Sequence, residues 1–187
     1  MSAHLSQPTV RNCAQAIVTA IALHGQDNAK LGIAIKASLQ ELMSRPDLLS
    51  LGIPREGNNV AVSYYLYFDG ELSILLYQVP NGNTIPPHDH GIWETLSVYR
   101  GRMKHVVYER ADDGLVPGTA ELRVIDDRVL ERGDFAIVAP PADIHSFSAL
   151  CDDTYAITVV NGAYKPDRHY YQPDEKTYVV RPQRNAR

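Results

Sequence analysis

A chain of 187 residues, 44% hydrophobic and with a formal net charge of −4, has the size and balance of one folded unit around a single core. It has no block of like basic charges, so nucleic acid is not an expected partner. No apolar run approaches the roughly 20 residues of a membrane helix, so no membrane association is expected either.

The first segment, MSAHLSQPTVRN, lacks the basic start and apolar centre of a secretory signal. Cys13 and Cys151 lie far apart and read as free thiols in a reducing, cytoplasmic setting. Residues 1–9 read as a loose arm. Val10, Ala14, Ile17 and Ile21 follow helical spacing, and Gly25 is a natural stop. Asp27 or Asn28 caps a second helix that carries Leu31, Ile35, Leu39 and Leu42 on one stripe and ends before Pro46.

From about residue 59 the texture turns to β. VAVSYYLYF and LSILLYQV flank Asp69-Gly70, a hairpin signal. RMKHVVYER follows, then a loop with Asp112, Asp113, Gly114, Pro117 and Gly118. AELRVI and RVLER flank Asp126-Asp127, which reads as a second turn. GDFAIVAPP, HSFSAL, TYAITVV and DEKTYVVRP complete the series. Short strands without interleaved helices predict an antiparallel sandwich or small barrel. The expected organisation is a single domain over 1–187, with a helical extension over about 8–50 and a barrel over about 58–181.

The chemistry concentrates between Gly82 and Gly101, in GNTIPPHDHGIWETLSVYRG. His88, His90 and Glu94 share parity, so one extended segment would aim them at the same side. Two imidazoles and a carboxylate converging on one point suit a divalent metal. Asp89 has opposite parity and is expected to point away and hold a turn or a neighbouring loop. A third histidine is available in His145, placed after Pro140-Pro141 at the start of a strand. Three imidazoles, with or without Glu94, leave coordination positions open, which is a catalytic pattern. His105 and His169 read as structural residues.

The stretch Gly82 to Gly101 resembles the first cupin motif at every fixed position, and Gly133 to His145 resembles the second, with Pro140 one residue late and alanines at positions 142 and 149. This implies a mainly β cupin fold, a double-stranded β-helix or small antiparallel barrel, with two N-terminal α-helices in front. PPHDHGIWETLSVYRG, DIHSFSA and DRHYYQP are most similar to the cysteine dioxygenase type, and within it to the bacterial 3-mercaptopropionate dioxygenase branch. That resemblance implies Fe(II) on His88, His90 and His145, although Zn or Ni would also fit such a site. It implies a small thiol carboxylate and O2 as partners, with both oxygen atoms ending on sulfur as a sulfinate. Arg168 matches an arginine of that branch and is the candidate for gripping the carboxylate.

The Ser-His-Tyr relay of that type lies on the strand that here reads TYAITVVNG, which has Thr158 but no histidine and Asn161 near the tyrosine's place, and no cysteine stands near Glu94 and Thr95. Tyr65, Tyr67, Tyr99 and Tyr164 are candidates to line the cavity. The expected activity is thus a mononuclear non-haem Fe(II) dioxygenase of thiol type, acting as a monomer or homodimer, with His88, His90, His145, Glu94 and Arg168 as its site. The alternatives are a cupin with Glu94 as fourth ligand, acting as another oxygenase, an isomerase or a lyase, and a non-catalytic cupin that binds a small ligand.

Overall fold

In a computed structural model, residues 7–55 and 62–182 are described. Helix α1 (Val10–His24) begins where the Thr9 hydroxyl accepts a hydrogen bond from the Asn12 amide at 3.1 Å. It ends at Gly25, whose amide returns to the Ile21 carbonyl. Helix α2 (Asn28–Leu42) is capped by the Asp27 carboxylate on the Lys30 amide at 3.1 Å. Cys13, Ala14, Ile17 and Ala20 meet Leu31, Ile35, Leu39 and Leu42, so both helices bury the stripes expected of them. No helix among the described residues is long and apolar enough to cross a membrane.

Twelve strands follow among the described residues: β1 (Ile53–Pro54), β2 (Val62–Phe68), β3 (Leu72–Gln78), β4 (Thr84–His88), β5 (Glu94–Arg100) and β6 (Arg102–Arg110). Then come β7 (Leu122–Glu131), β8 (Phe135–Val138), β9 (Ile144–Ala149), β10 (Tyr155–Asn161), β11 (Asp167–Gln172) and β12 (Thr177–Pro182). They form two antiparallel sheets, ordered β1-β2-β3-β10-β5-β8 and β12-β11-β4-β9-β6-β7. Asp69-Gly70 is the β2–β3 turn, with the Asp69 carboxylate accepting from the amides of Glu71 and Leu72.

The middle of the first sheet is buried on both faces. Leu72, Ile74 and Leu76 of β3, with Ile157 and Val159 of β10, pack on the helices. Tyr77, Leu96, Val98 and Ala156 turn the other way and meet Met103, Leu130 and Phe147 between the sheets. Strands covered on both faces are apolar along their length, as LSILLYQ is. The result is a mainly β fold of two antiparallel sheets, with two N-terminal helices against one sheet.

One local expectation changes. Asp126-Asp127 is not a turn: β7 runs unbroken through it, paired with Val106 and Val107 of β6. β7 is an edge strand, so both carboxylates reach solvent and pair with Arg128 and Lys104 instead of reversing the chain. DRHYYQ forms a further strand, β11, which joins β4 through Tyr170 opposite His88.

Candidate metal centre

His88 closes β4, His90 lies in the connection that follows, and His145 is the second residue of β9. The strand register sets His88 directly opposite His145. The expectation of one extended segment through His88, His90 and Glu94 does not hold. Gly91 adopts φ +74°, the chain breaks there, and Glu94 begins β5 in the opposite sheet. The break is held by Asp143, whose Oδ2 accepts from the amides of His90 at 2.9 Å and Gly91 at 2.6 Å.

The three imidazoles nonetheless converge. Their centroids lie 4.7 Å (His88–His90), 4.9 Å (His88–His145) and 4.9 Å (His90–His145) apart. One nitrogen from each falls in a set whose members are within 4.8 Å of one another. All three residues are buried. Burial pushes the His88 imidazole down to about 3, with the Arg168 charge adding to it. Burial and the neighbouring histidines hold His90 and His145 well below their ordinary values. The rings are therefore neutral, as ligands must be.

The partner on the far side of the His88 ring fixes where its lone pair points. His88 Nδ1 donates to the Pro86 carbonyl at 2.8 Å, which leaves Nε2 as acceptor. His90 Nδ1 lies 3.2 Å from Glu94 Oε2 and 3.1 Å from the donor Arg168 Nη2, and its other nitrogen, Nε2, faces His145. That nitrogen stands 2.9 Å from His145 Nε2. Two nitrogens bound at right angles to one ion at about 2.1 Å would be about 3.0 Å apart, so the gap suits a shared cation. This donor set fits a divalent metal.

Glu94 is buried against the site: Oε2 contacts His90 Nδ1, and Oε1 is 3.8 Å from His145 Nε2. Burial raises its carboxyl to about 7, against the downward pull of the Tyr164 hydroxyl and the Arg168 charge. Tyr164 donates to Glu94 Oε2, and its ring packs 5.0 Å from that of His90. Burial and the Glu94 charge hold its hydroxyl well above the usual phenol value. Arg168, on β11, is 8% exposed. Its Nη2 lies 3.1 and 3.4 Å from the two ring nitrogens of His90, and its guanidinium is 4.8 Å from the Tyr164 ring centre. Asp89 points away, as parity requires, and ties down β11. It accepts from the His169 amide and ring, from the Tyr171 hydroxyl, and from the Lys165 ammonium.

Of the tyrosines proposed as lining, Tyr164 is at the site, while Tyr67 and Tyr99 pack on the helix side. His169 binds Asp89, whereas His105 lies directly behind His145, with Nε2 2.9 Å from His145 Nδ1. His105 and Asp143 were given no part in the site by sequence. The position of His105 on the buried parity of β6, opposite β9, is the one signal that points to it.

No protein-family model matches the chain, and no curated protein matches it. Among solved structures it is similar to KdgF from Halomonas sp., at 16% identity over 59% of this chain and 87% of that one, with a TM-score of 0.43. It is also similar to a double-stranded β-helix protein from Klebsiella pneumoniae, at 14% identity over 73% and 89% of the two chains, TM-score 0.43. A third likeness is to the hydroquinone 1,2-dioxygenase PnpCD in complex with Cd2+ and 4-hydroxybenzonitrile, at 11% identity over 53% and 63%, TM-score 0.41.

Proposed function

We propose that the protein is a mononuclear Fe(II) dioxygenase that converts a small thiol carboxylate to its sulfinate with O2. His88, His90 and His145 would hold the ion. The observation that carries this reading is a buried guanidinium, Arg168, packed against the ring of one of three converging, neutral histidines. A bound iron would supply the redox chemistry that joins a thiol to dioxygen. Arg168 presents a planar donor fork to the substrate carboxylate and sets the thiol end toward the histidines. Its charge is held by burial among Tyr164, Tyr170 and the Asp89 carbonyl, so a carboxylate meets it with little competition from water.

Glu94 Oε2 sits 3.2 Å from His90 Nδ1 and accepts from the Tyr164 hydroxyl. That contact supports a three-histidine site with Glu94 behind it. Glu94 as a fourth ligand, in another class of metal cupin, is the second reading, and its Oε1 at 3.8 Å from His145 Nε2 is what favours it. A single domain and a cytoplasmic setting belong to the same proposal. The test is anaerobic loading with Fe(II), then oxygen uptake across thiol acids, diketones and catechol-like compounds. Uptake with thiol acids and a sulfinate product supports the proposal. Uptake confined to the other classes, with a glutamate oxygen at about 2.0–2.2 Å from the metal, supports the second reading.

A further inference from the structure

His105 has no part in the reading above, yet it is wholly buried and touches the third histidine. Its Nε2 is 2.9 Å from His145 Nδ1. Its own Nδ1 is the buried side-chain polar atom without a hydrogen-bond partner among the described residues. A core seldom leaves such an atom unpaired unless something else fixes it there.

Resting on the metal reading of His88, His90 and His145, we propose that His105 is a positioning residue that holds His145 in the tautomer a metal needs. The proton count shows why. For Nε2 of His145 to offer a lone pair, its proton must sit on Nδ1. The group facing that Nδ1–H is His105 Nε2, which must then be an acceptor. His105 consequently carries its proton on the unpartnered Nδ1. The orphaned N–H is the cost of keeping an acceptor behind His145.

A second arrangement satisfies the same distances. His105 donates from Nε2 to His145 Nδ1, and His145 donates from Nε2 to His90 Nε2 across the 2.9 Å gap. Here a proton occupies the place between the two rings that a cation would take. Each arrangement puts one proton on His105 and one on His145, so passing between them is a double tautomer shift with no net proton release from these two rings. A divalent cation selects the first. Metal ligands generally depend on such a partner for orientation, and its loss typically costs 10- to 100-fold in affinity.

His105→Leu keeps the volume and removes the acceptor, whereas His105→Gln restores an acceptor oxygen at about the same reach. Titration of the metal-free proteins with Co2+, followed by calorimetry and by the visible spectrum of the ion, reads the effect. The expected result is a loss of about 10- to 100-fold in affinity for His105→Leu and recovery of most of it in His105→Gln. The metal-free melting temperature of His105→Leu should be unchanged or higher, because the orphaned donor is gone. A purely structural histidine would give the opposite, a lower melting temperature with unchanged Co2+ affinity, and that overturns the proposal.

Nitrogen-15 histidine NMR of the Zn2+-loaded wild type tests the same point without a variant. Both His105 and His145 should be Nδ1–H tautomers, and an Nε2–H proton on His105 overturns the proposal even if His105→Leu fails to fold. Wild-type protein that binds neither Co2+ nor Zn2+ overturns the metal reading itself and this proposal with it. Equal binding by wild type and His105→Leu overturns this proposal alone.

Discussion

Arg168 donates from Nε to the backbone carbonyl of Asp89 at 2.9 Å, so the residue between His88 and His90 also seats the guanidinium. The same residue's carboxylate grips the next positions of β11 through His169 and Tyr171. One residue of the His-Asp-His run thereby ties the histidines to the cation beside them.

Arg168→Ala should therefore raise KM for an acidic thiol and lower kcat/KM by about 10- to 100-fold, the size of a lost charged hydrogen bond. Metal content should not change. Arg168→Lys should recover part of the loss, since an ammonium cannot make the two-pronged contact. Steady-state oxygen uptake with metal analysis on the same samples checks this. An unchanged KM for Arg168→Ala removes the guanidinium from substrate binding.

Asp89→Asn should destabilise the fold by about 2–3 kcal/mol, because the carboxylate answers Lys165, the His169 amide and Tyr171, and an amide oxygen replaces it only in part. Urea unfolding measures it. A change below about 0.5 kcal/mol would mean that these bonds add nothing beyond a surface contact.

Cys13 is buried in α1, and burial, with the Glu41 charge, pushes its thiol up to about 12. Its proton is thus held more tightly in the folded chain than in the unfolded one. Stability contributed by the neutral thiol is complete below pH 9.0, the ordinary value, and falls as pH rises toward about 12. Cys13→Ala should flatten that alkaline decline relative to wild type in urea midpoints taken from pH 8 to 11, on the order of one unit below the shifted value. In the native protein a thiol reagent at neutral pH should modify Cys151, which is partly exposed, and reach Cys13 only on unfolding.

Asp143→Ala removes the acceptor for two consecutive amides at the chain break. The His90 ring should lose its fixed direction, and Co2+ affinity should fall by about 10-fold or more while the barrel stays folded. Calorimetric titration beside circular dichroism separates the two effects. Wild-type affinity in this variant would show that the Asp143 contacts do not set the direction of the ring.

The helices could be read from sequence because their apolar stripes and caps are local: Thr9, Gly25 and Asp27 act within four residues of themselves. So could His88, His90 and His145, since a His-x-His pair and a strand-initial histidine leave a visible spacing. What the spacing hid is that the chain bends at Gly91, which moves Glu94 to the other sheet without taking it from the site. Asp126-Asp127 misled because turn-forming residues are equally at home on an exposed edge strand. β11 has little local signature, because Arg168 and His169 are polar residues whose partner, Asp89, lies far off in sequence. His105 and Asp143 act through contacts 40 and 52–53 residues away, which no local pattern encodes.

The most direct test of the three-histidine centre is metal stoichiometry after anaerobic Fe(II) loading of wild type, His88→Ala, His90→Ala and His145→Ala, each checked for fold by circular dichroism. One ion per chain in wild type, and loss of most of it in every folded variant, is the predicted result. Full iron in any two of the folded variants would contradict it, because two neutral imidazoles do not hold a ferrous ion tightly.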